Sequence, residues 1–173
     1  MSDQANERLR QLYVEHGAVV YRFLFAMLGR SDAAGELTQE TFFRALKVID
    51  TFEARSSPST WLCGIARNVA LNHLRSERRF SDEAPDALPE RQATSPASDQ
   101  ALLDGELREA IRRALLELDR EKRVAFTLKV LEQKSYEEIA AITGSAIAKL
   151  KTDVHRARLQ LRGALAGYWE KSK

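Results

Sequence analysis

The chain has 173 residues, room for one ordinary domain or two small ones, and a net charge of +2 from 27 basic and 25 acidic side chains. Its single cysteine, Cys63, excludes an intramolecular disulfide. No apolar run approaches the roughly 20 residues a membrane-crossing helix needs. No cationic leader precedes an apolar core either, so a soluble cytoplasmic protein is the expectation.

Apolar positions recur at three- and four-residue spacing along most of the chain, without useful β-like alternation, which predicts an all-α fold. A first helix is expected over about 5–28, with Leu9, Leu12, Val19, Val20, Phe23, Leu24 and Leu28 on its core side. Gly29 ends it, and Ser31 or Asp32 is placed to cap a second helix from about Ala33 to Val48. Leu37, Phe42, Ala45, Leu46 and Ile49 mark that helix's buried side. Phe42 and Phe43 cannot both enter one core, so one of them is expected at the surface as an anchor for another protein. After the loop from Phe52 to Ser59, a third helix should begin at Ser57-Pro58 or Ser59 and run to about Arg79. Trp61, Leu62, Ile65, Val69 and Leu74 would face the core, and Cys63 among them reads as a buried thiol.

Residues 81–99 hold three prolines and few large apolar groups, a composition that cannot bury enough surface to offset the entropy of ordering it. A flexible tether is expected there. Charge follows the same division: +2 over residues 1–80, −4 over 81–100 and +4 over 101–173. Two mildly basic blocks flanking an acidic strip suggest nucleic-acid contacts at both ends, with a protein partner supplying much of the affinity. The architecture expected is therefore two small helical domains, 1–80 and 100–173, joined by the linker.

In the second block, helices are expected over about 100–118 and 120–131, followed by a helix-turn-helix. Ser135 with Glu138 three residues on is a capping box, and Thr143-Gly144-Ser145 is a turn. Ile147, Leu150, Val154, Ala157 and Leu161 then form the inward stripe of a second helix. Lys149, Lys151, Thr152 and Arg156 are left for a DNA major groove.

Other polar faces need weighing. On the third helix, Asn68, Asn72, Arg75 and Arg79 fall at spacings of four, three and four, two amides and two guanidinium groups suited to bases and phosphates. A solvated face with a basic C-terminal end explains them equally well. The loop at Arg55, Ser56, Ser57 and Ser59 beside Trp61 has the composition to receive an extruded base. Glu36, Gln39, Glu40, Phe43 and Arg44 make a mixed acidic, amide and aromatic surface on the second helix, which composition alone assigns to solvent. His16, His73 and His155 lie in three different helices, and no triad, metal-ligand spacing or phosphate-binding glycine loop emerges. An enzyme is the least favoured class, and neither cofactor nor metal is expected.

These motifs resemble an extracytoplasmic-function, or group IV, RNA polymerase sigma factor, the minimal form that keeps only the second and fourth sigma regions. Glu36-Leu-Thr-Gln-Glu-Thr-Phe-Phe-Arg-Ala resembles the family's polymerase-binding helix. Phe52 through Trp61-Leu-Cys-Gly-Ile-Ala-Arg-Asn-Val-Ala-Leu-Asn-His-Leu-Arg resembles the loop and helix that open and read the −10 element. Ser135 to Arg158 resembles the −35 reader, entered through Leu118-Asp-Arg-Glu-Lys-Arg-Val-Ala-Phe.

The resemblance implies a promoter-specificity subunit whose partners are core RNA polymerase (β′ clamp helices and β subunit), promoter DNA and a dedicated anti-sigma protein. That protein, often membrane-bound, could hold the chain at the inner membrane face without insertion. Carried over, Glu36, Gln39, Glu40, Phe43 and Arg44 would bind the clamp. Arg55, Ser56, Ser57, Ser59, Trp61, Asn68, Asn72, Arg75 and Arg79 would hold −10 DNA. Lys149, Lys151, Thr152, Asp153, Arg156 and Arg158 would meet −35 DNA. Asp153 departs from the pattern, standing where the family often has arginine; it could accept from cytosine N4 or pair with Lys149 four residues earlier. Two other readings remain open on sequence: a duplex-DNA regulator that acts without polymerase, and a sigma-like adaptor that has lost promoter recognition.

Overall fold

The computed structural model describes residues 3–53, 55–81 and 99–170, so the tether expected over 81–99 lies almost wholly outside the described residues. Those residues form helices and no strand: α1 (Asp3–Leu28), α2 (Ser31–Val48), α3 (Pro58–Ser81), α4 (Asp99–Glu117), α5 (Arg120–Phe126), α6 (Tyr136–Thr143), α7 (Ile147–Ala164) and α8 (Ala166–Glu170). The all-α expectation holds, and α1 to α3 and α4 to α8 make the two helical units.

Local chemistry explains most boundaries. Gly29 ends α1 at φ +73°, a left-handed angle that glycine adopts without a Cβ penalty. α2 then begins two residues before the expected start: its N-cap is Arg30, and neither Ser31 nor Asp32 caps it. Asp32 sits instead in the first turn, where a negative charge suits the helix dipole. Its carboxyl is held below the usual range by a hydrogen bond from Arg30. Ser57 precedes α3, its Oγ accepting from Thr60 N at 3.3 Å, with Pro58 in the first helical position. The expected 120–131 helix divides in two, since after α5 the backbone widens into a π-turn over Thr127–Leu131. Gln133 follows at φ 52°.

α1, α2 and α3 pack into a three-helix unit around Val20, Phe23, Leu24, Phe42, Leu62, Ala66 and Ala70. Of the expected core residues on α3, Leu62 and Val69 are buried, while Trp61, Ile65 and Leu74 are half-buried. The same apolar cluster continues without a break into Val124, Ala125, Leu128, Ile139, Ile142, Leu150 and Val154 of the second unit. The two units therefore share one core, an arrangement the sequence periodicity did not specify. A smaller cluster of Ala114, Leu118, Ala157 and Leu161 joins α4 to α7.

Cys63 lies fully inside the shared core, and burial pushes its thiol up to about 12. The thiolate is the reactive form, so the folded chain should resist thiol reagents at neutral pH. Labelling should appear only as denaturant unfolds the protein; modification of the native chain as fast as a free small thiol would contradict this packing.

Candidate nucleic-acid and polymerase interface

α2 buries Ala34, Thr38, Thr41, Phe42 and Ala45 against its neighbours. Thr38 and Thr41 satisfy their hydroxyls by donating to the carbonyls of Ala34 and Leu37, each at 2.7 Å. This fixes the helix so that Glu36, Gln39, Phe43 and Arg44 are exposed and Glu40 is half-exposed. Arg44 Nε donates to Glu40 Oε1 at 2.6 Å. Phe42 enters the core, its ring meeting Tyr13 edge-on at 4.9 Å. Phe43 is left 54 % exposed beneath the Lys47 ammonium, 4.3 Å from the ring centroid. An open groove of about 460 Å³ between α1 and α2, lined in part by Tyr13, Val14 and Gln39, borders this surface.

Asn68, Asn72, Arg75 and Arg79 are all exposed along α3, with Arg75 Nη1 donating to Asn72 Oδ1 at 3.4 Å. In the preceding loop Arg55 pairs with Glu53 at 2.5 Å, and Ser56 and Ser57 are exposed. Trp61 is half-buried against Phe52, ring centroids 4.9 Å apart, so its indole forms a wall of the loop.

The start of α3, where that loop ends, is occupied by the second unit. Lys134 Nζ donates to Ser59 Oγ at 2.8 Å and to Thr60 Oγ1 at 3.1 Å. Glu138 Oε1 accepts from Thr60 Oγ1 at 2.9 Å and from Ser57 Oγ at 3.3 Å. Two further ties lie nearby. Arg22 forks onto Glu132, whose side chain is only 5 % exposed. Arg123, itself buried, donates from Nε to the Ala26 carbonyl at 2.6 Å, and from Nη1 to the carbonyls of Leu116 and Leu118 at 3.3 and 3.1 Å. One guanidinium thus satisfies carbonyls in the last turn of α1 and around the end of α4, where helices lack internal partners. Burial lowers its pKa from the ordinary value.

The helix-turn-helix forms as expected. Ser135 Oγ accepts from Glu138 N at 3.0 Å, Glu138 Oε2 accepts from Ser135 N at 2.9 Å, and Gly144 takes φ +74°. On α7, Leu150, Val154, Ala157 and Leu161 are buried, and Lys151, Thr152, Arg156 and Arg158 are exposed. Asp153 is not on that outer face. It is buried and accepts from Lys149 Nζ at 2.6 Å. Lys149 also donates to Glu121 of α5 at 2.6 Å. Its ammonium is therefore held between two carboxylates, chiefly by Asp153, which raises its pKa. The physical reason is register: Asp153 immediately precedes Val154 on the inward stripe, and the long lysine stem lets one cation bridge both acids.

Sequence reasoning missed Thr60, Lys134, Glu138, Arg22, Glu132 and Arg123 as members of one seam. Their signal lies in the meeting of the units, 74 to 110 residues apart in sequence. The Ser135–Glu138 spacing gave the cap but not its second use.

The arrangement defines a helical DNA-binding protein of two units, one presenting a polar helix and loop, the other a helix-turn-helix. Family models agree: Sigma-70 region 2 matches residues 12–80 and Sigma-70, region 4 matches 108–161. RNA polymerase sigma factor YlaC of Bacillus subtilis is 31 % identical over 90 % of this chain and 91 % of its own length. ECF RNA polymerase sigma factor EcfG of Rhodopseudomonas palustris is 35 % identical over 83 % of this chain and 77 % of its own. Among solved structures, the sigma factor RpoE in complex with the anti-sigma factor NepR from Bartonella quintana superposes with a TM-score of 0.77 at 28 % identity, covering 92 % of this chain and 98 % of that one. The chain belongs to the ECF family of RNA polymerase sigma factors, the subunits that recognise promoters and direct transcription initiation. Among the described residues, no helix is long and apolar enough to cross a membrane.

Two outcomes follow from this geometry. Lys149→Ala leaves the Asp153 carboxylate buried without its cation, which should cost about 1–3 kcal/mol in denaturant unfolding. Adding Asp153→Ala should recover most of that loss, and strictly additive losses would contradict the pairing. Glu138 has its carboxyl lowered from the ordinary 4.5 first by Ser135 N–H, with Thr60, Lys134 and Ser57 acting the same way. A lowered folded pKa contributes stability above the unfolded value that is lost as pH falls through the folded one. Wild type should therefore lose stability over that acidic window more steeply than Glu138→Gln; identical pH profiles would refute the assignment.

Proposed function

We propose that this sigma factor divides its work between the units: residues 1–80 for the polymerase clamp and −10 element, 100–173 for the −35 element, and 81–99 as an acidic tether. Glu36, Gln39, Glu40, Phe43 and Arg44 bind the β′ clamp helices. The supporting observation is the way α2 buries its two threonines and Phe42 while leaving these five side chains accessible on its other side. Phe43 supplies an apolar anchor and the Glu40–Arg44 pair a charged rim, the usual anatomy of a protein contact.

Arg55, Ser56, Ser57, Ser59 and Trp61 receive an unstacked −10 base, and Asn68, Asn72, Arg75 and Arg79 contact neighbouring promoter positions. Capturing single-stranded bases offsets the unpairing cost of local melting, so no covalent chemistry is required of the chain. Lys151, Thr152, Arg156 and Arg158 face the −35 duplex. Lys149 and Asp153 brace α7 against α5 and are assigned to the frame of the reader, not to its base contacts. The chain acts in the cytoplasm without a cofactor. The NepR complex of its structural relative supports an anti-sigma protein as a further partner.

Purified chain, core RNA polymerase and a promoter library, with transcript starts mapped, test this reading. Specific starts with paired −10 and −35 motifs are expected. Glu40→Arg should weaken core binding tenfold or more, whereas Lys151→Ala should leave core binding intact and reduce the salt slope of −35 binding by about 1. A chain that binds duplex DNA but never stimulates initiation by core polymerase would sink the proposal.

A further inference from the structure

We propose that α7 reads the −35 element through thymine methyl groups, with Ala148 and Thr152 as the specificity-determining residues. The inference rests on the −35 role proposed for this helix and names the base that role selects.

Four exposed residues, Ala148, Thr152, His155 and Leu159, follow one another along α7 at spacings of four, three and four. At 3.6 residues per turn they share one line, opposite the buried Leu150, Val154, Ala157 and Leu161. A recognition helix turns that line towards the base edges. Charge lies to either side of it, with exposed Lys151 and Arg158 on one flank and Arg156 on the other. Lys129 strengthens the first flank: its ammonium and that of Lys151 stand 4.7 and 5.7 Å from the centroid of the Tyr136 ring. Basic flanks suit phosphates, which fix position without reading sequence. Base identity is left to the line between them.

The first two residues of that line offer carbon. Thr152 donates its hydroxyl proton to the Ala148 carbonyl at 3.1 Å, so the backbone takes the one donor this side chain has. What remains for Thr152 to donate to a base edge is no proton but a methyl contact, one turn after the methyl of Ala148. Lys149 adjoins them in sequence, yet its ammonium is drawn aside to Asp153 and Glu121, each at 2.6 Å. Guanine presents two acceptors in the major groove, O6 and N7, and calls for donors; thymine alone presents a C5-methyl, which alanine and threonine methyls meet by apolar contact. The start of α7 therefore matches thymine. Guanine there would have its acceptors stripped of water without a partner in exchange, which costs more than a contact simply not made. His155 stands further along the line as its first ring nitrogen, and Leu159, 54 % exposed, continues it with another apolar group.

Uracil keeps the hydrogen-bonding edge of thymine and lacks only the C5-methyl, so it isolates this contact. Core RNA polymerase carrying the full chain selects from promoter fragments with a randomised −35 hexamer. Neighbouring thymines should be enriched where the start of α7 meets the groove. In the selected promoter, deoxyuridine at those thymines should weaken binding about fourfold for each methyl. The salt dependence should stay the same, because the phosphate contacts are untouched. Thr152→Ser keeps a hydroxyl for the Ala148 carbonyl and removes the methyl. It should bind the thymine promoter about fourfold more weakly than wild type, bind the uracil promoter equally well, and lose the uracil penalty at one position. Three results would overturn the thymine reading and leave the −35 role standing: guanine enriched at those positions, equal binding of thymine and uracil promoters, or a full uracil penalty in Thr152→Ser. A selection that enriches no −35 sequence at all defeats the −35 role itself, and this inference with it.

Discussion

The structure depends on α3 being used on two sides at once. Leu62, Cys63, Ala66 and Ala70 fill the three-helix unit, and the start of the same helix, through Thr60 with Ser57 and Ser59, meets α6 and its preceding turn. A helix committed in this way cannot shift without disturbing both units, because interiors are packed as solids and respond to displacement by losing contacts outright. Arg123 adds a second fixed point: its guanidinium joins carbonyls of α1 to those around the end of α4. Gly29 lies at that junction, where a Cβ would stand 3.3 Å from Leu116 Cδ2 in addition to the strain of its positive φ.

From this constraint follows the way polar chemistry is distributed. The α2 surface and the outer side of α3 remain open to solvent, and so does the outer side of α7, while the first turn of α3 at Ser59 and Thr60 is covered. Beside the shared apolar core, most of the seam's specificity is polar. An ammonium shared by two hydroxyls, a carboxylate divided between a helix cap and a loop, and a forked Arg22–Glu132 pair all have water, polymerase or nucleic acid as alternative partners. Exposed ion pairs by themselves contribute little and desolvation of Lys134 and Glu132 is costly, so the seam draws its strength chiefly from the shared apolar core beside them.

Much of this was legible in the sequence, and the reason is local. The capping box at Ser135 and Glu138, the left-handed Gly144 and the inward stripe Leu150, Val154, Ala157 and Leu161 depend on spacing alone, and each is where spacing put it. Phe42 and Phe43 divide between core and surface, as adjacent positions on a helix require. What spacing could not give depends on contacts distant in sequence. Asp153 pairs with Lys149 four residues earlier, one of the roles its spacing offered, but that α5 brings Glu121 to the same ammonium lay beyond spacing. Lys134 and Glu132 look like ordinary loop charges until the π-turn directs them at α1 and α3. The early start of α2 has a different origin: Arg30 takes the cap position with extended backbone, and its guanidinium bridges Asp32 and Glu77 where a side-chain cap was expected.

The central claim is that one seam joins the two units across the start of α3, beside a loop proposed to read promoter DNA. Amide hydrogen exchange, followed on the intact chain alone and then with core RNA polymerase and promoter DNA, addresses it most directly. In the free chain the amides around 134–139 and at the start of α3 should be protected together. Leu62 to Ala70 should stay protected within the first unit in both states. Unprotected seam amides in the free chain, or loss of protection from Leu62 to Ala70 on assembly, would contradict the account.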